Sequence, residues 1–239
     1  MFQVILHDGL VAGAVGTFLS EDLSAKTIAF LVKNDDWGRQ ASEVIQKAFE
    51  SDGGSVVALE YFEGGETNFL PQATKIMGLN PDAVVLAAQA QDGSMIVKQF
   101  QEIGFDKPLV GLGAFASGTF VDLAKDAAEG VYGIVQYSDA IDTPENKAFV
   151  ESWTTRYPQS GLPDKFAWGP YTATKAIFEA IKAANSTDPA AIRDALETVS
   201  FQGLTGEIKF DENHQAHPDV YITQIQDGKA VTLTSIKTQ

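Results

Sequence analysis

Four residues suited to binding a small molecule follow short apolar segments that are typical of buried β-strands. Trp37 follows the first of these segments, Gln89 and Gln91 follow the third, and Phe115 follows the fourth. The carboxyl ends of parallel strands meet at one edge of a sheet, which is where such sheets bind ligands. An aromatic ring can stack on a ligand, and a carboxamide can both donate and accept hydrogen bonds. We therefore expect one wall of a ligand cleft here, with packing of Trp37 under its own loop as the alternative.

Residues that could carry out catalysis are scarce. The chain has no Cys, and its three histidines are His7, His214 and His217. His214 and His217 fall in a predicted turn without a third residue at metal-ligand spacing, so we expect solvated turn histidines. The glycine-rich phosphate-binding motifs and the G-x-S-x-G nucleophile motif are absent from the sequence. We expect a binding protein that uses no cofactor and no metal, and not an enzyme.

The Asp35-Asp36 pair allows two interpretations. Paired carboxylates after a strand can hold a magnesium ion, but the site would need a further aspartate after the third strand. Gln89 and Gln91 occupy that position instead. The alternative is that the pair caps the following helix, whose amino-terminal end favours negative charge. We expect helix capping.

Composition excludes several classes of protein. The 239 residues include 17 Lys and Arg against 32 Asp and Glu, which gives a net charge of −15. Nucleic-acid binding requires clustered positive charge, so no nucleic-acid partner is expected, and an anionic membrane surface is disfavoured for the same reason. No apolar run reaches the ~18 residues needed to cross a bilayer. The segment MFQVILHDGLVAG has no basic region or cleavage motif, so it does not read as a signal peptide.

The elements that must position the four candidate residues alternate in type. Five short apolar runs between residues 26 and 135 alternate with segments of helical periodicity, at intervals of about 25 residues. This pattern predicts an α/β fold with a doubly wound parallel sheet. Predicted helices follow at 144–157, 165–184 and 189–199, and an Asp227-Gly228 turn then joins two strands in a hairpin.

The predicted helices at both ends have apolar faces without a sheet to cover. Phe18 lies on the first of them, and Phe178 and Ile181 lie on the long helix near the carboxyl end. A helix face of this kind needs an apolar partner. We expect self-association, or a missing amino-terminal fragment, to cover these faces.

Several segments, in their order and spacing, resemble a known family. They are NDDWGRQ after the first strand, FEGGETNFLPQATKI after the second, the helix PYTATKAIFEAIKAA, and FQGLTGEIKFDENH before the hairpin. The chain resembles the type I periplasmic substrate-binding proteins of ABC transporters, the Leu/Ile/Val-binding group.

That resemblance implies two doubly wound α/β lobes that close on a solute. Residues 26–138 would form the C-terminal lobe, residues 1–25 a helix of the N-terminal lobe and the first crossover, and residues 139–205 further helices of the N-terminal lobe. Residues 206–239 would supply a hinge strand and a hairpin that returns to the C-terminal lobe. The first βα units and the leader of the family have no counterpart, so the resemblance implies an N-terminally truncated chain with an incomplete first lobe.

The resemblance also implies a function. It indicates the solute receptor of an ABC importer, periplasmic, with a membrane permease as partner, and it adds Phe166 to Trp37 as a residue near the cleft. Where amino-acid binders of the family carry an acid that holds the ligand's ammonium group, this chain has Gly113. A buried ammonium group without a carboxylate partner is poorly compensated, so a carboxylate, amide or aromatic acid fits better than a standard amino acid. The alternative is a ligand-sensing domain of a signalling receptor with the same fold.

Overall fold

The computed structural model describes residues 1–238, which fall into two compact units. We call residues 8–135 and 222–234 the sheet unit, and residues 1–7, 136–221 and 235–238 the helical unit. The main chain passes between the units after residues 7, 135, 221 and 234.

The sheet unit is an α/β layer structure. Its strands lie in the order β2-β1-β3-β4-β5-β8-β9, and β1 to β5 pair in parallel. The strands are β1 (Thr27–Lys33), β2 (Ser55–Phe62), β3 (Ala83–Ala88), β4 (Leu109–Gly113), β5 (Tyr132–Val135), β8 (Val220–Gln226) and β9 (Lys229–Ile236), and the helices are α1 (Asp8–Thr17), α2 (Asp36–Ser51), α3 (Leu70–Leu79), α4 (Ala90–Glu102) and α5 (Gly118–Ala124). The five strands predicted between residues 26 and 135 correspond to β1 to β5.

The central strands are buried on both faces, which is why their sequences lack polar alternation. Every residue of β3 is buried, and so are the five inner residues of β1. Phe30 of β1 lies opposite Leu59 of β2 and Val85 of β3. Ala29 and Leu31 join an apolar cluster with residues of α3, α4 and α5, while Phe30 points to the opposite face. The doubly wound α/β fold predicted from the sequence is confirmed.

The assignment of residues 1–25 to the N-terminal lobe was wrong for the helix. Helix α1 belongs to the sheet unit and packs on α2, where a Cβ on Gly16 would lie 3.3 Å from the Cβ of Ala48. Phe18 follows α1 in a π-helical turn and is buried, with its ring centroid 5.2 Å from that of Tyr132. The apolar face for which the sequence pattern offered no partner is therefore covered within this unit.

The helical unit contains α6 (Pro144–Arg156), α7 (Lys165–Ala184) and α8 (Pro189–Leu196), with a two-stranded sheet of β6 (Ser200–Gly203) and β7 (Gly206–Lys209). The pairing of β6 and β7 is antiparallel. The predicted bounds of α7 are confirmed. Among the described residues of this unit there is no larger sheet, so its helices lack the layer that covers those of the sheet unit.

Two other predicted boundaries also shift. The return to the sheet unit, predicted to begin at residue 206, begins at Ile222, because β7 turns back on β6 and stays in the helical unit. The sheet unit ends its first long segment at Val135, and not at residue 138, because the residues that follow are held by the helical unit. There, the buried Asn146 donates from Nδ2 to the carbonyl oxygens of Ser138 and Asp139.

Candidate functional site

The edge formed by the carboxyl ends of β1 to β4 carries most of the candidate residues. After β1, β3 and β4 a helical segment begins within three residues, whereas a loop of residues 63–69 separates β2 from α3, so short connections after β1, β3 and β4 are held close to the paired strands. Trp37, Gln89 and Gln91 lie at this edge of the sheet unit. Phe166 lies in the helical unit and is described separately below.

The turn between β1 and α2 holds Trp37 in a fixed place. Asp35 caps α2, since its Oδ1 accepts a hydrogen bond from the Gly38 N–H at 2.9 Å. The backbones approach so closely here that a Cβ on Gly38 would lie 2.1 Å from the carbonyl oxygen of Lys33. Trp37 sits in the first turn of α2 and is half-buried, so its ring is neither in the core nor fully solvated.

The capping interpretation of the Asp35-Asp36 pair agrees with the geometry. Asp35 is the cap, and Asp36 is the exposed first residue of α2, near the positive end of the helix dipole. The Nζ of Lys33 lies 3.6 Å from Oδ2 of Asp35 and adds a further charge interaction. Within residues 1–238, no group of three or more His, Cys, Asp or Glu side chains is placed to hold a metal ion.

A polar cluster beside this turn was missed by the sequence analysis. The Nδ2 of Asn34 donates to a carboxylate oxygen of Glu63, which follows β2. The carboxylate of Glu66 accepts from the backbone N–H of Glu63 at 3.0 Å and from Nε2 of Gln72 at 2.8 Å. These contacts fix the loop after β2 beside Trp37's turn. The signal available in the sequence was the polar composition of residues 63–68 after an apolar strand.

The end of β3 presents two free carboxamides. Gln89 occupies the cap position of α4 with an exposed side chain that makes no capping hydrogen bond. Gln91 is also exposed, and only its backbone carbonyl is engaged, by Oγ of Ser94 at 2.7 Å. Within the described residues neither carboxamide has a hydrogen-bond partner, so both can donate to and accept from a solute.

Phe115 does not line this edge, and its inclusion was wrong. It is fully buried, with its ring centroid 4.8 Å from that of Phe120. The ring fills space left by two glycines, because a Cβ on Gly111 would lie 1.9 Å from its Cγ and a Cβ on Gly93 2.7 Å from its Cζ. A side chain without exposed surface makes no solute contact, so Phe115 is a core residue.

Gly113, which the resemblance places at the position of an acid, has a backbone reason to be glycine. Its φ of +75° lies in the region that other residues rarely adopt. It ends β4 and starts a short 3₁₀ turn over Ala114–Ala116. An acidic residue here would require the backbone of the turn to change. The local conformation therefore disfavours a carboxylate at this position.

In the helical unit, Phe166 lies in the first turn of α7 and is 71% exposed. Asp164 caps this helix by accepting from the backbone N–H groups of Phe166 and Ala167 at 2.9 and 3.2 Å. The Nζ of Lys165 lies 5.0 Å from the Phe166 ring centroid, within cation–π range. The ring is thus available to a ligand or to another protein surface.

A cavity of about 520 Å³ lies elsewhere in the sheet unit. Its lining includes Lys107, Leu109, Glu129 and Tyr132, which stand at the amino ends of β4 and β5. Glu129 is already engaged, since its carboxylate accepts from the backbone N–H of Asp227 at 3.0 Å. None of the five predicted site residues lines this cavity.

The sequence matches proteins of a known family. A profile of the periplasmic binding proteins matches residues 1–230. The "Leucine-, isoleucine-, valine-, threonine-, and alanine-binding protein" of Pseudomonas aeruginosa is 25% identical over 213 residues, which are 89% of this chain and 56% of that protein. The chain thus spans about half the length of this curated relative.

A solved structure supports the same relationship. The branched-chain amino acid transporter substrate-binding protein LivJ of Streptococcus pneumoniae, in complex with isoleucine, is 27% identical, with a TM-score of 0.84 over 97% of this chain and 66% of that chain. A protein of Geobacillus stearothermophilus named limonene hydroxylase is 32% identical over 103 residues, but these are 43% of this chain and 19% of that protein.

In the part of the chain that the structure describes, no helix is long and apolar enough to cross a membrane. The parallel sheet, the fixed strand-end edge and the match over residues 1–230 all lead to one assignment. The chain belongs to the type I periplasmic binding protein family.

Proposed function

We propose that the chain is part of the solute receptor of an ABC importer and binds a small organic solute at the strand-end edge of the sheet unit. The observation that carries this proposal is the pair of unpartnered carboxamides on Gln89 and Gln91, together with the half-buried ring of Trp37, on one edge of a parallel sheet. Solute sites of this kind combine an aromatic surface with a few polar groups. The two relatives named for amino-acid binding support the solute class in general terms.

The absence of an acidic side chain at position 113 restricts which solutes the site can bind. Without a carboxylate there, a buried ammonium group would lack its partner. We propose a solute without an α-ammonium group, such as a small carboxylate, an amide or an aromatic acid. Binding would involve both lobes and closure about the hinge, with Phe166 contributing from the helical unit, and the loaded receptor would deliver the solute to a membrane permease from the periplasm.

A thermal-shift panel tests this proposal. The chain, joined to the part of the Pseudomonas aeruginosa relative that the match leaves out, would be melted with leucine, isoleucine and valine, with their 2-oxo analogues, and with benzoate. We expect the compounds that lack an ammonium group to raise the melting temperature most, because ligand binding to the folded state stabilises it. Greater stabilisation by leucine or valine would contradict the solute class. If none of these compounds changes the melting temperature, the protein is not a receptor for them. If their concentrations also stay constant on incubation with the protein, it is not an enzyme that acts on them.

Trp37→Ala sharpens the assignment of the site. If the ring stacks on the solute, its removal should weaken binding by about tenfold or more, or ~1.4 kcal/mol, with a smaller effect on stability. Tyr132→Ala is the matched control, since Tyr132 is, like Trp37, a half-buried aromatic residue of the sheet unit, but it stands at the amino end of β5, away from the strand-end edge. Equal loss of affinity in both variants would argue against stacking by Trp37.

A further inference from the structure

The cavity of about 520 Å³ lies at the opposite edge of the sheet from the candidate solute site. Leu109 begins β4 and Tyr132 begins β5, and both residues line the cavity. The five residues of β4, at ~3.3 Å each, place the two edges of the sheet about 15 Å apart. All of the lining residues belong to the sheet unit, so this compact unit forms the cavity by itself. Its volume lies within the usual range of small-molecule sites.

The lining combines open backbone with buried apolar side chains. Gly104 and Gly130 both line the cavity, and a Cβ on either residue would have no heavy atom within 4 Å. Val97 and Val131, which also belong to the lining, are buried in the apolar cluster of the sheet unit. An apolar group that enters the cavity would therefore exchange water for contacts with apolar side chains.

Two aromatic residues contribute to the lining. Phe105 follows α4 and Tyr132 begins β5, and both are half-buried. Each ring packs on a buried phenylalanine, with centroids 4.9 Å apart for Phe105 and Phe100 and 5.2 Å apart for Tyr132 and Phe18. These contacts restrict the rings, while part of each residue stays exposed. The faces of aromatic rings attract cations, so the lining is suited to a positively charged group.

The charged residues of the lining are Asp106, Lys107 and Glu129. The Nζ of Lys107 lies 3.8 Å from Oδ1 of Asp106. The same ammonium group adds to the backbone hydrogen bonds that lower the pKa of Asp82, so two carboxylates share its charge. Glu129 accepts from the backbone N–H of Asp227 at 3.0 Å and, among the residues that the structure describes, forms no ion pair. A negative charge therefore remains beside the cavity, in a chain of net charge −15.

We propose that this cavity binds a small organic cation with an apolar or aromatic body, such as a primary arylalkylammonium ion. The body would lie against the apolar and aromatic lining, and the ammonium group would lie near the carboxylate of Glu129. The carboxamide of Gln101 also lines the cavity and, within residues 1–238, has no hydrogen-bond partner, so its oxygen is free to accept from the ammonium group. This site is separate from the strand-end edge and does not depend on the solute proposed there.

The test uses the 239-residue chain and three probes that share one ring and differ in charge: benzylammonium, benzyl alcohol and benzoate. In titrations followed by amide NMR spectra, benzylammonium should shift the amide signals of residues 104–109 and 129–132 to saturation, with a dissociation constant of about 1 mM or lower. At the same amides, benzyl alcohol should bind at least about threefold more weakly, and benzoate more weakly still, because neither carries a positive charge. The affinity for benzylammonium should also fall as the salt concentration rises.

Two substitutions separate the contributions of charge and ring. Glu129→Gln should weaken benzylammonium binding by about threefold or more and leave benzyl alcohol binding nearly unchanged. Phe105→Leu keeps an apolar side chain and should weaken benzylammonium binding by a similar factor, because the ring face is lost. Asp122→Asn is the matched control, since Asp122 is an exposed acid of α5 outside the lining, and it should change neither affinity.

Several results would overturn the proposal. They are equal binding of the three probes at these amides, tighter binding of benzoate there, shifts confined to other parts of the chain, and no saturation by benzylammonium at about 10 mM. An effect of Glu129→Gln no larger than that of Asp122→Asn would also overturn it. Because Glu129 holds the hairpin turn at Asp227, the melting temperature of each variant is measured as well. If Glu129→Gln does not fold, the order of the three probes and the salt dependence in the unsubstituted chain decide.

Discussion

Capped helices in the two units differ in how they are stabilised. In the sheet unit, α2 buries Ala41, Ile45 and Phe49 and is capped by Asp35. In the helical unit, α6 buries only Asn146, and α8 buries no residue, although both are well capped. A cap satisfies backbone groups at one end of a helix, whereas most helix stability in proteins comes from packing of an apolar face. The comparison shows that helix signals in a sequence and a complete core are separate properties.

Polar contacts take a larger part in the helical unit. Asn146 is fully buried, accepts from the hydroxyl of Tyr137 at 2.8 Å, and donates to three backbone carbonyls. The Tyr137 ring is parallel to that of Trp168, with centroids 6.1 Å apart. The corresponding interior of the sheet unit is an apolar cluster built around residues such as Phe100 and Phe120. We therefore expect substitutions to act through different physical causes in the two units.

The largest effect should come from a matched pair of Phe→Ala substitutions. Phe100→Ala should lower the free energy of unfolding by about 3–5 kcal/mol, because it empties a fully buried site in the cluster. Phe178→Ala should lower it by less than ~0.5 kcal/mol in the chain alone, because that ring is exposed. Urea unfolding followed by circular dichroism measures both. A similar loss in the free energy of unfolding for both substitutions would show that the Phe178 ring is buried. The two units would then not differ in how their helix faces are packed.

The next effect concerns the buried asparagine. Asn146→Ala should destabilise the helical unit by about 3 kcal/mol, because it leaves the Tyr137 hydroxyl and three carbonyls without their partner. Tyr137→Phe retains the ring and leaves the hydrogen bonds from Asn146 Nδ2 to the backbone carbonyls in place. We therefore expect a loss of only about 1–2 kcal/mol in the free energy of unfolding. Hydrogen exchange of the amides in residues 136–221 measures the stability of the helical unit separately from that of the sheet unit. If Asn146→Ala destabilises the protein less than Tyr137→Phe does, the hydrogen bonds of the Asn146 carboxamide do not stabilise the helical unit as proposed.

A smaller effect is expected from the caps. Asp188→Ala removes the carboxylate that accepts from the N–H groups of Ala190 and Ala191, and Asp35→Ala removes the cap of α2. Each loss should cost about 1 kcal/mol. Because α8 lacks buried residues, the loss should appear as faster local amide exchange in α8, whereas α2 should stay protected by its packing. Equal loss of protection in both helices would argue against packing as the difference.

The smallest effect is a pH dependence of opposite sign in the two units. Hydrogen bonds from the backbone N–H groups of Lys26 and Thr27 lower the pKa of Asp82 in the sheet unit, and burial raises the pKa of Asp139 in the helical unit. The contribution of Asp82 is present above its unfolded pKa of 3.8 and is lost as the pH falls through the lower folded value. Asp139 acts in reverse, since stability is lost as the pH rises from the unfolded to the higher folded pKa.

At neutral pH, Asp82→Asn should therefore destabilise the protein slightly and Asp139→Asn should stabilise it slightly. Both differences from the unsubstituted chain should vanish in acid, where the carboxyl groups are protonated. Thermal melts of the three proteins across the acidic range check this. Destabilisation by Asp139→Asn at neutral pH would show that its carboxylate has a favourable partner.

Much of the sheet unit could be predicted from the sequence, because its signals are local. Continuous apolar runs such as Ala83–Ala88 give strands buried on both faces, and the Asp227-Gly228 pair gives a hairpin in which both residues have positive φ. The candidate site was accessible in part. Trp37, Gln89 and Gln91 could be placed on one edge because parallel strands share their direction. The orientation of Phe115 could not, because it depends on space left by Gly93 and Gly111 on other elements.

The sequence alone determined the α/β class, the order of the elements and the capping role of Asp35, since each depends on residue type and short spacing. Tertiary structure alone decided that α1 packs on α2 and that Phe18 is buried while Phe178 is exposed. An apolar face shows that a helix needs a partner, but the identity of that partner depends on where distant segments meet in space. That is why two similar faces in the sequence, those of Phe18 and Phe178, have opposite environments in the structure.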